Sequence, residues 1–555
     1  CAANRLGTLS PKNPGKYKQD TENRGHCTLR PRSPSELPRM EPLAEPVPRD
    51  ARVPRLVSLV VSICTPDEGL SVSDKDVVIV GSGPNALAAG VTMARAGLSV
   101  QVIERNETIG GGARSAEVTL PGFRHDICSA VHPMALASPF FQSFELADRL
   151  EFAVPEISYA HPLDHGEAGI AYRDLATTAA SLGADGPSWL RLMQPVVNRL
   201  DAVMDFTSNQ LLRLPKDPIA VATFGLRVLE QGSPAWNLRF TEKIAPAMLA
   251  GVNAHSIGPM PSLATAGAGL LLGAQAHARG WAIPIGGSQG IVDAMADDLR
   301  AHGGEITTGV EVLSLEQLPS SRAVLLDVSA RALDRIAGDR LPAGYRRALR
   351  RFTYGNSAAK IDFALSGPVP WTNPEVQNAG TIHLGGSRAE IAFGEAEVAR
   401  GNHPQSPYVL VSQPTALDPS RAPAGGHIVW AYAHVPNGST VDMTEAIIAQ
   451  IERFAPGFRD LIIGSHHMSA MDLERYNPNY VGGDFSAGAI SISQLLRRPT
   501  LSRDPWRTPS KGIYLASSST PPGTAVHGLC GFYAARSALR HEFGIREIPS
   551  LGITR

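Results

Sequence analysis

Asp76-Val77-Val78-Ile79-Val80-Gly81-Ser82-Gly83-Pro84-Asn85-Ala86, closed downstream by Glu104, is the stretch that decides the fold. The β-branched run 77–80 reads as a buried parallel strand. It runs into Gly81-Ser82-Gly83-x-x-Ala86 and then into an Ala-rich helical pattern over 87–96. Gly81 permits the tight turn, Gly83 lets the backbone approach a pyrophosphate, and Ala86 is small enough for the helix to pack on the strand. Free N–H groups and the positive helix end favour phosphate there. A second strand, 98–103, ends at Glu104, whose carboxylate suits the ribose hydroxyls of an adenosine. A lone Gly-x-Gly-x-x-Ala is weak. Strand, turn, helix, strand and acid in this order predict a dinucleotide site rather than a bland Gly-rich turn.

The rest of the chain sets the frame. With 555 residues, two or more domains are expected. A formal net charge of −1 gives no basic surface for nucleic acid. Five cysteines without Cys-x-x-Cys spacing indicate neither a disulfide framework nor a zinc site, so no metal is expected and a reducing, cytoplasmic setting fits. No apolar run reaches the roughly 20 residues of a membrane span. Residues 1–73, rich in Pro, Arg, Lys and Ser, bury too little apolar surface to fold and read as a disordered tail. The opening Cys1 leaves the nativity of that tail open. It reads as a fragment or an over-extended reading frame with a start near Val72, with a processed lipoprotein cysteine as the alternative.

Further motifs follow. Gly110-Gly111-Gly112-Ala113-Arg114-Ser115 can wrap a ligand closely, with Arg114 pairing a phosphate. Residues 140–282 look mainly helical, with apolar spacing strongest over 190–206 and 245–272. Gly267-Ala-Gly269 and Gly273 lie in that helical pattern and read as close helix packing, not a second nucleotide loop. Ile283-Pro-Ile-Gly286-Gly287 precedes a helix over 291–301 and strands over 305–308 and 310–313, returning the chain to an α/β unit. Lys360 and Asp362 share one strand face by alternation. By spacing alone they are a solvated ion pair on a half-exposed strand. A last strand, 512–516, opens onto Ser517-Ser518-Ser519-Thr520-Pro521-Pro522-Gly523 and runs through His527-Gly528 to a helix over 532–539.

Together, Gly81 to Glu104, the Gly286-Gly287 unit, Lys360-Ile-Asp362-Phe-Ala-Leu365 with Pro368-Val-Pro-Trp371, and Thr520-Pro-Pro-Gly523 through Gly531 resemble the FAD-dependent amine-oxidase and phytoene-desaturase superfamily. The resemblance covers residues 75–545. It implies an α/β fold: a Rossmann-type FAD-binding domain assembled from separated segments, with an inserted mixed α+β substrate domain. The FAD segments would be 74–155, 282–365 and 506–545. The substrate domain would have a helical part, 156–281, and a mixed part, 366–505.

The resemblance further implies that Gly81, Gly83, Glu104, Gly110, Gly111 and Arg114 hold the ADP half of FAD. Pro84, Asn85, Ala86, Arg105, Gly112 and Ser115 stand beside them, and backbone around Val312 meets the adenine. Ser518, Pro522, Gly523, Val526, His527 and Gly528 would lie at the flavin. Lys360 is similar in placement to a lysine that holds a water near the flavin in amine oxidases, and is one catalytic candidate. His527 is the weaker one. Many relatives carry Gly-Asp where this chain has Ser517-Ser518-Ser519, which predicts fewer ribityl contacts.

The expected activity is oxidation of a hydrophobic substrate, a polyene, isoprenoid or lipid-like molecule, by hydride transfer to flavin. Oxygen or a quinone would reoxidise the flavin, and peripheral membrane association would give access to such a substrate. A flavin-dependent isomerase, an amine oxidase and an inactive interaction protein are the alternatives. Aromatic residues at 6% of the chain argue against an amine-binding aromatic cage.

Overall fold

The structure, a computed structural model, describes residues 74–553. The expectations for the N-terminal tail and for a start near Val72 lie outside the described residues. The chain enters through β1 (Lys75–Val80), turns into α1 (Pro84–Arg95) and returns as β2 (Val100–Ile103). It then crosses to a second sheet with β3 (Ile157–Pro162) and β4 (Ala168–Tyr172). A helical stretch follows, of which α2 (Leu200–Thr207), α3 (Pro218–Gln231) and α4 (Leu263–Ala278) shape the site. Next, α5 (Gln289–Ala301), β5 (Glu305–Thr307) and β6 (Ser321–Leu326) return to the first sheet. The second sheet is completed by β7 (Ser357–Leu365), β8 (Thr381–Leu384), β9 (Val409–Ser412), β10 (His427–Val435) and β11 (Ile462–Met468). The helix α6 (Thr444–Phe454) falls between its last two strands. Finally β12 (Ile513–Leu515) and α7 (Leu529–Ala538) rejoin the first sheet.

The first sheet runs β12-β6-β1-β2-β5, all pairs parallel. Alternation along β1 sends Val77 and Ile79 into the core under α1, α5 and α7. Val78 and Val80 go into the opposite core, under two helices that follow β6. Burial on both faces explains the uninterrupted β-branched run. Pro84 opens α1, but its N-cap is Gly83, which has no side chain to cap with. Asp327, at the end of β6, supplies the missing acceptor by taking the Ala86 N–H at 3.1 Å. Gly531 lets α7 close on α1, since a Cβ there would fall 1.7 Å from the Asn85 carbonyl.

The second sheet runs β11-β7-β10-β9-β8-β3-β4 and is antiparallel except at β8-β3. One of its faces carries Ile361, Ala431, Val411 and Ile382, packed against Ile447 and Ile451 of α6. The other face turns toward the site.

Several boundaries differ from the sequence reading. The strand β7 belongs to the second sheet, so the middle nucleotide-domain segment ends before Ser357 and not at Leu365. The segment expected to be helical contains β3 and β4, joined at Asp164-His165-Gly166 with His165 and Gly166 at positive φ. Residues 310–313 form no strand; Val310 only donates its N–H to the Glu104 carbonyl, at 2.9 Å. The central strand β6 and its terminal Asp327 carried no recognised signal. The helix α4 packs closely through its glycines: a Cβ on Gly269 would meet Asn253 Oδ1 at 1.8 Å.

Candidate active site

A cavity of about 670 Å³ runs from the end of β1 into the substrate domain. At its nucleotide end the Gly81-Ser82-Gly83 turn faces the Gly111-Gly112 loop so closely that a Cβ on Gly111 would lie 3.0 Å from Gly83 Cα. Glu104 organises this end. One carboxylate oxygen accepts from the Ser82 N–H and Oγ, at 3.0 and 2.7 Å, and the other from the Asn106 N–H and side chain. Arg114 is buried, stacks its guanidinium 4.2 Å from the Tyr476 ring centre, and donates to the Gly111 carbonyl. Among the described residues its Nη2 has no partner. A buried, unpartnered guanidinium nitrogen beside a glycine turn and a helix N-terminus is a donor set for phosphate.

The loop after β12 forms the next part of the wall. Ser517 Oγ donates to the Val328 carbonyl at 2.6 Å, and Ser519 Oγ to the Ala487 carbonyl at 3.1 Å. Ser517 and Ser518 both line the cavity, and Asn85 Nδ2 donates to the Ser518 hydroxyl at 3.3 Å. Two of the three hydroxyls expected in place of a ribityl-binding acid are therefore committed to backbone.

His527 lines the cavity, but both ring nitrogens are engaged. Nδ1 accepts the Leu529 N–H at 3.0 Å, and Nε2 faces the Gly523 carbonyl at 3.2 Å. Burial pushes its pKa down to about 4. The ring braces the loop and has no free nitrogen with which to act as a base.

Lys360 lies deeper, at 4% exposure, on the cavity-facing side of the second sheet. It forms an ion pair with Asp362, and its Nζ stands 5.6 Å from the Trp430 ring centre. The sequence reading of a solvated pair is thus corrected: β7 is covered on both faces, a fact that alternation along one strand cannot reveal. Burial raises Asp362 to about 6 against the pull of Lys360. His125 Nδ1 lies 3.6 Å from Asp362, and burial, with Lys360 and Arg421 adding, lowers its pKa to about 3, so the ring is neutral. Arg421 and Asp126 form a second buried pair behind it, at 2.8 Å.

Most of the anticipated cofactor residues share this one wall. Gly81, Gly83, Pro84, Asn85, Glu104 and Arg105 do so at the first turn. Gly111, Gly112, Arg114 and Val312 follow, and Ser518, Pro522, Gly523 and Val526 complete the set. Ala86, Gly110, Ser115 and Gly528 stand behind it. Ser115 Oγ donates to Asp126 at 2.6 Å, Gly110 N–H bonds to Ser82, and a Cβ on Gly528 would strike Phe140. Sequence reasoning missed Asp327, which lines the cavity and whose carboxyl burial raises to about 7.

Residues 87–530 match the family described as flavin containing amine oxidoreductase. The chain belongs to that family. Among similar proteins, pyridine nucleotide-disulfide oxidoreductase domain-containing protein 2 of Rattus norvegicus is 26% identical over 552 residues, covering 84% of this chain and 93% of the relative. A phytoene dehydrogenase of Streptomyces griseus is 27% identical over 393 residues, covering 65% of this chain and 73% of the relative. A putrescine oxidase variant of known structure shares the fold, with a TM-score of 0.56 at 18% identity over 84% of this chain and 99% of that chain.

This flavin oxidoreductase is FAD-dependent, and its residues fit the cofactor. The glycine turn and α1 would hold the pyrophosphate with Arg114, Glu104 would hold the ribose, and Ser518 with the 521–527 loop would border the flavin. FAD supplies an acceptor for a hydride. The protein's part is to exclude water, orient the substrate and, through Lys360, hold a buried cation beside the cavity.

Proposed function

We propose that this enzyme oxidises a hydrophobic substrate by transferring hydride from a C–H bond to FAD, and passes the electrons on to oxygen or a quinone. The observation that carries this reading is the far wall of the cavity. Beyond the nucleotide end it is built by Phe206 of α2, Phe224 and Val228 of α3, and Leu263, Leu271 and Leu272 of α4. An apolar enclosure of this kind desolvates an apolar chain and disfavours the several charges of a polyamine. The aromatic pair Trp430 and Tyr432 is no substitute for an amine cage, because the Trp430 face already meets the Lys360 ammonium. A second cation there is opposed by like charge.

Anaerobic mixing of the FAD-loaded protein with apolar polyenes or isoprenoids tests this. Loss of the oxidised flavin band in proportion to substrate supports it. Product formation without net flavin reduction would instead mark an isomerase, and reduction by putrescine or spermidine would restore the amine reading.

Such a substrate lives in lipid, and we read α3 as the lipid-facing element. Among the described residues no helix is long and apolar enough to cross a membrane. Yet α3 turns Ile219, Ala222, Leu226 and Leu229 outward on one stripe, and the preceding loop leaves Leu214 91% exposed. Its inner side, Phe224 and Val228, lines the cavity. A helix apolar on both sides is unusual in water. It suits a helix with lipid on one side and an apolar cavity on the other. Nearby charges are paired, Arg213 and Lys216 with Asp205 and Arg199 with Asp217, so attraction to anionic headgroups has a small part.

A further inference from the structure

The cavity-facing side of the second sheet is polar, in contrast to the helical wall opposite it. Register fixes this. Asp362 of β7 pairs with Trp430 of β10, Trp430 with Ser412 of β9, and Ser412 with Thr381 of β8, so these four residues form one row on one face. Lys360, Tyr432, Leu410 and His383 form the neighbouring row on the same face. Trp430, Ser412 and Thr381 all line the cavity.

Two members of the row have unused hydrogen-bonding atoms. Among the described residues Thr381 Oγ1 and Trp430 Nε1 are buried without partners, whereas Ser412 Oγ is spent on the Gly380 carbonyl at 3.0 Å. Across the cavity Gln275 repeats the pattern. Among the described residues its amide nitrogen reaches only the Met134 and Met204 sulfurs, at 3.2 and 3.1 Å, and its Oε1 has no partner. These three side chains are at most 5% exposed. Buried polar groups ordinarily find partners, and in a cavity wall a ligand can provide them.

The kinds of atom are informative. The Trp430 indole N–H can only donate, Thr381 can donate or accept, and Gln275 Oε1 can only accept. A pure hydrocarbon satisfies none of them. An ammonium head has no lone pair for Trp430 and would meet the Lys360 cation nearby. A neutral oxygen satisfies them: a carbonyl accepts, and a hydroxyl both accepts and donates.

We propose that the substrate is an oxygenated apolar molecule, an isoprenoid or lipid-like chain bearing a neutral hydroxyl or carbonyl. The Thr381–Trp430 row and Gln275 would recognise that oxygen, while α2, α3 and α4 take the apolar body. This rests on the functional reading above and narrows its substrate class.

Calorimetric titration of the FAD-loaded protein with farnesol, farnesene and farnesylamine tests it. Farnesol should bind about tenfold more tightly than farnesene, the scale of one well-made hydrogen bond. Thr381→Val and Trp430→Phe should each shrink that preference, read as the ratio of farnesol to farnesene affinity on the same variant. Equal binding of alcohol and hydrocarbon by the unmodified protein would overturn the proposal, with no variant needed. So would tightest binding of the amine, or a preference that both variants leave intact. The visible flavin band of the same sample reports separately on the cofactor. A protein without it would fail the oxidoreductase reading, while its preference among the three ligands could still be measured.

Discussion

Asp327 Oδ2 accepts the amide N–H of Ala86 at 3.1 Å, so a carboxyl from the end of the neighbouring strand caps the helix whose N-terminus would face the pyrophosphate. A phosphate-binding helix end is an unusual place for an acid. Burial, with the charge of Glu104 adding, raises Asp327 from 3.8 to about 7, so the group is largely protonated below neutral pH.

A pH dependence follows. Folded protein holds this proton up to about pH 7, whereas the unfolded chain releases it near 3.8. The associated stability is fully present below pH 3.8 and is lost as pH rises through 7, an upper limit of about 4 kcal/mol. FAD affinity should weaken over the same upper range, as a carboxylate forms beside the diphosphate. Asp327→Asn keeps an acceptor for Ala86 but cannot ionise. Thermal melts and FAD titrations between pH 6 and 8 should show a smaller slope for the variant than for the parent. Parallel slopes would remove Asp327 from the account.

Gly83→Asp should reduce bound flavin to near zero. A Cβ at Gly83 falls 2.9 Å from Asp327 Oδ2, so the added side chain has to displace that carboxyl, and the new charge repels phosphate. Flavin absorbance per protein, on samples with unchanged far-ultraviolet circular dichroism, measures this. Full flavin content would refute the placement of the turn.

Lys360→Met should keep FAD but slow flavin reduction or reoxidation on the order of 10²-fold. The fold tolerates the loss because Asp362, already held at about 6, can take a proton once its partner is gone. Rapid-mixing kinetics of the two half-reactions decide the matter. Normal rates in both would make the lysine purely structural.

Leu226→Glu combined with Leu229→Glu should lower co-flotation with phosphatidylcholine vesicles about tenfold or more, since each leucine loses a favourable apolar transfer. Raising the salt should change the parent's binding little, because the nearby basic side chains are paired. Failure of the parent to float, or strong salt sensitivity, would contradict a lipid-facing α3.

The nucleotide half of the site was legible because its chemistry is local. Gly81, Gly83, Glu104, Gly111 and Arg114 lie in short contiguous motifs whose backbone demands leave a mark on the sequence. Strand β6 leaves no such mark: Ser321–Leu326 follows Pro319-Ser320 and is followed by an acid, Asp327, where the phosphate rule predicts none. The hairpin of β3 and β4 was readable from Asp164-His165-Gly166 but was masked by the helical pattern around it. The Asp362–Trp430–Ser412–Thr381 row was beyond reach, because four strands distant in sequence make it only through their register. For the same reason alternation placed Lys360 and Asp362 on one face without showing that both faces are covered.

FAD is expected to fill the groove between Gly81 and the 521–527 loop, and the visible spectrum of the purified full chain reads this out. The expected result is a yellow protein with an oxidised-flavin spectrum, releasing FAD in about equimolar amount on denaturation, or acquiring that spectrum when FAD is added. A colourless protein that also fails to bind added FAD would contradict it.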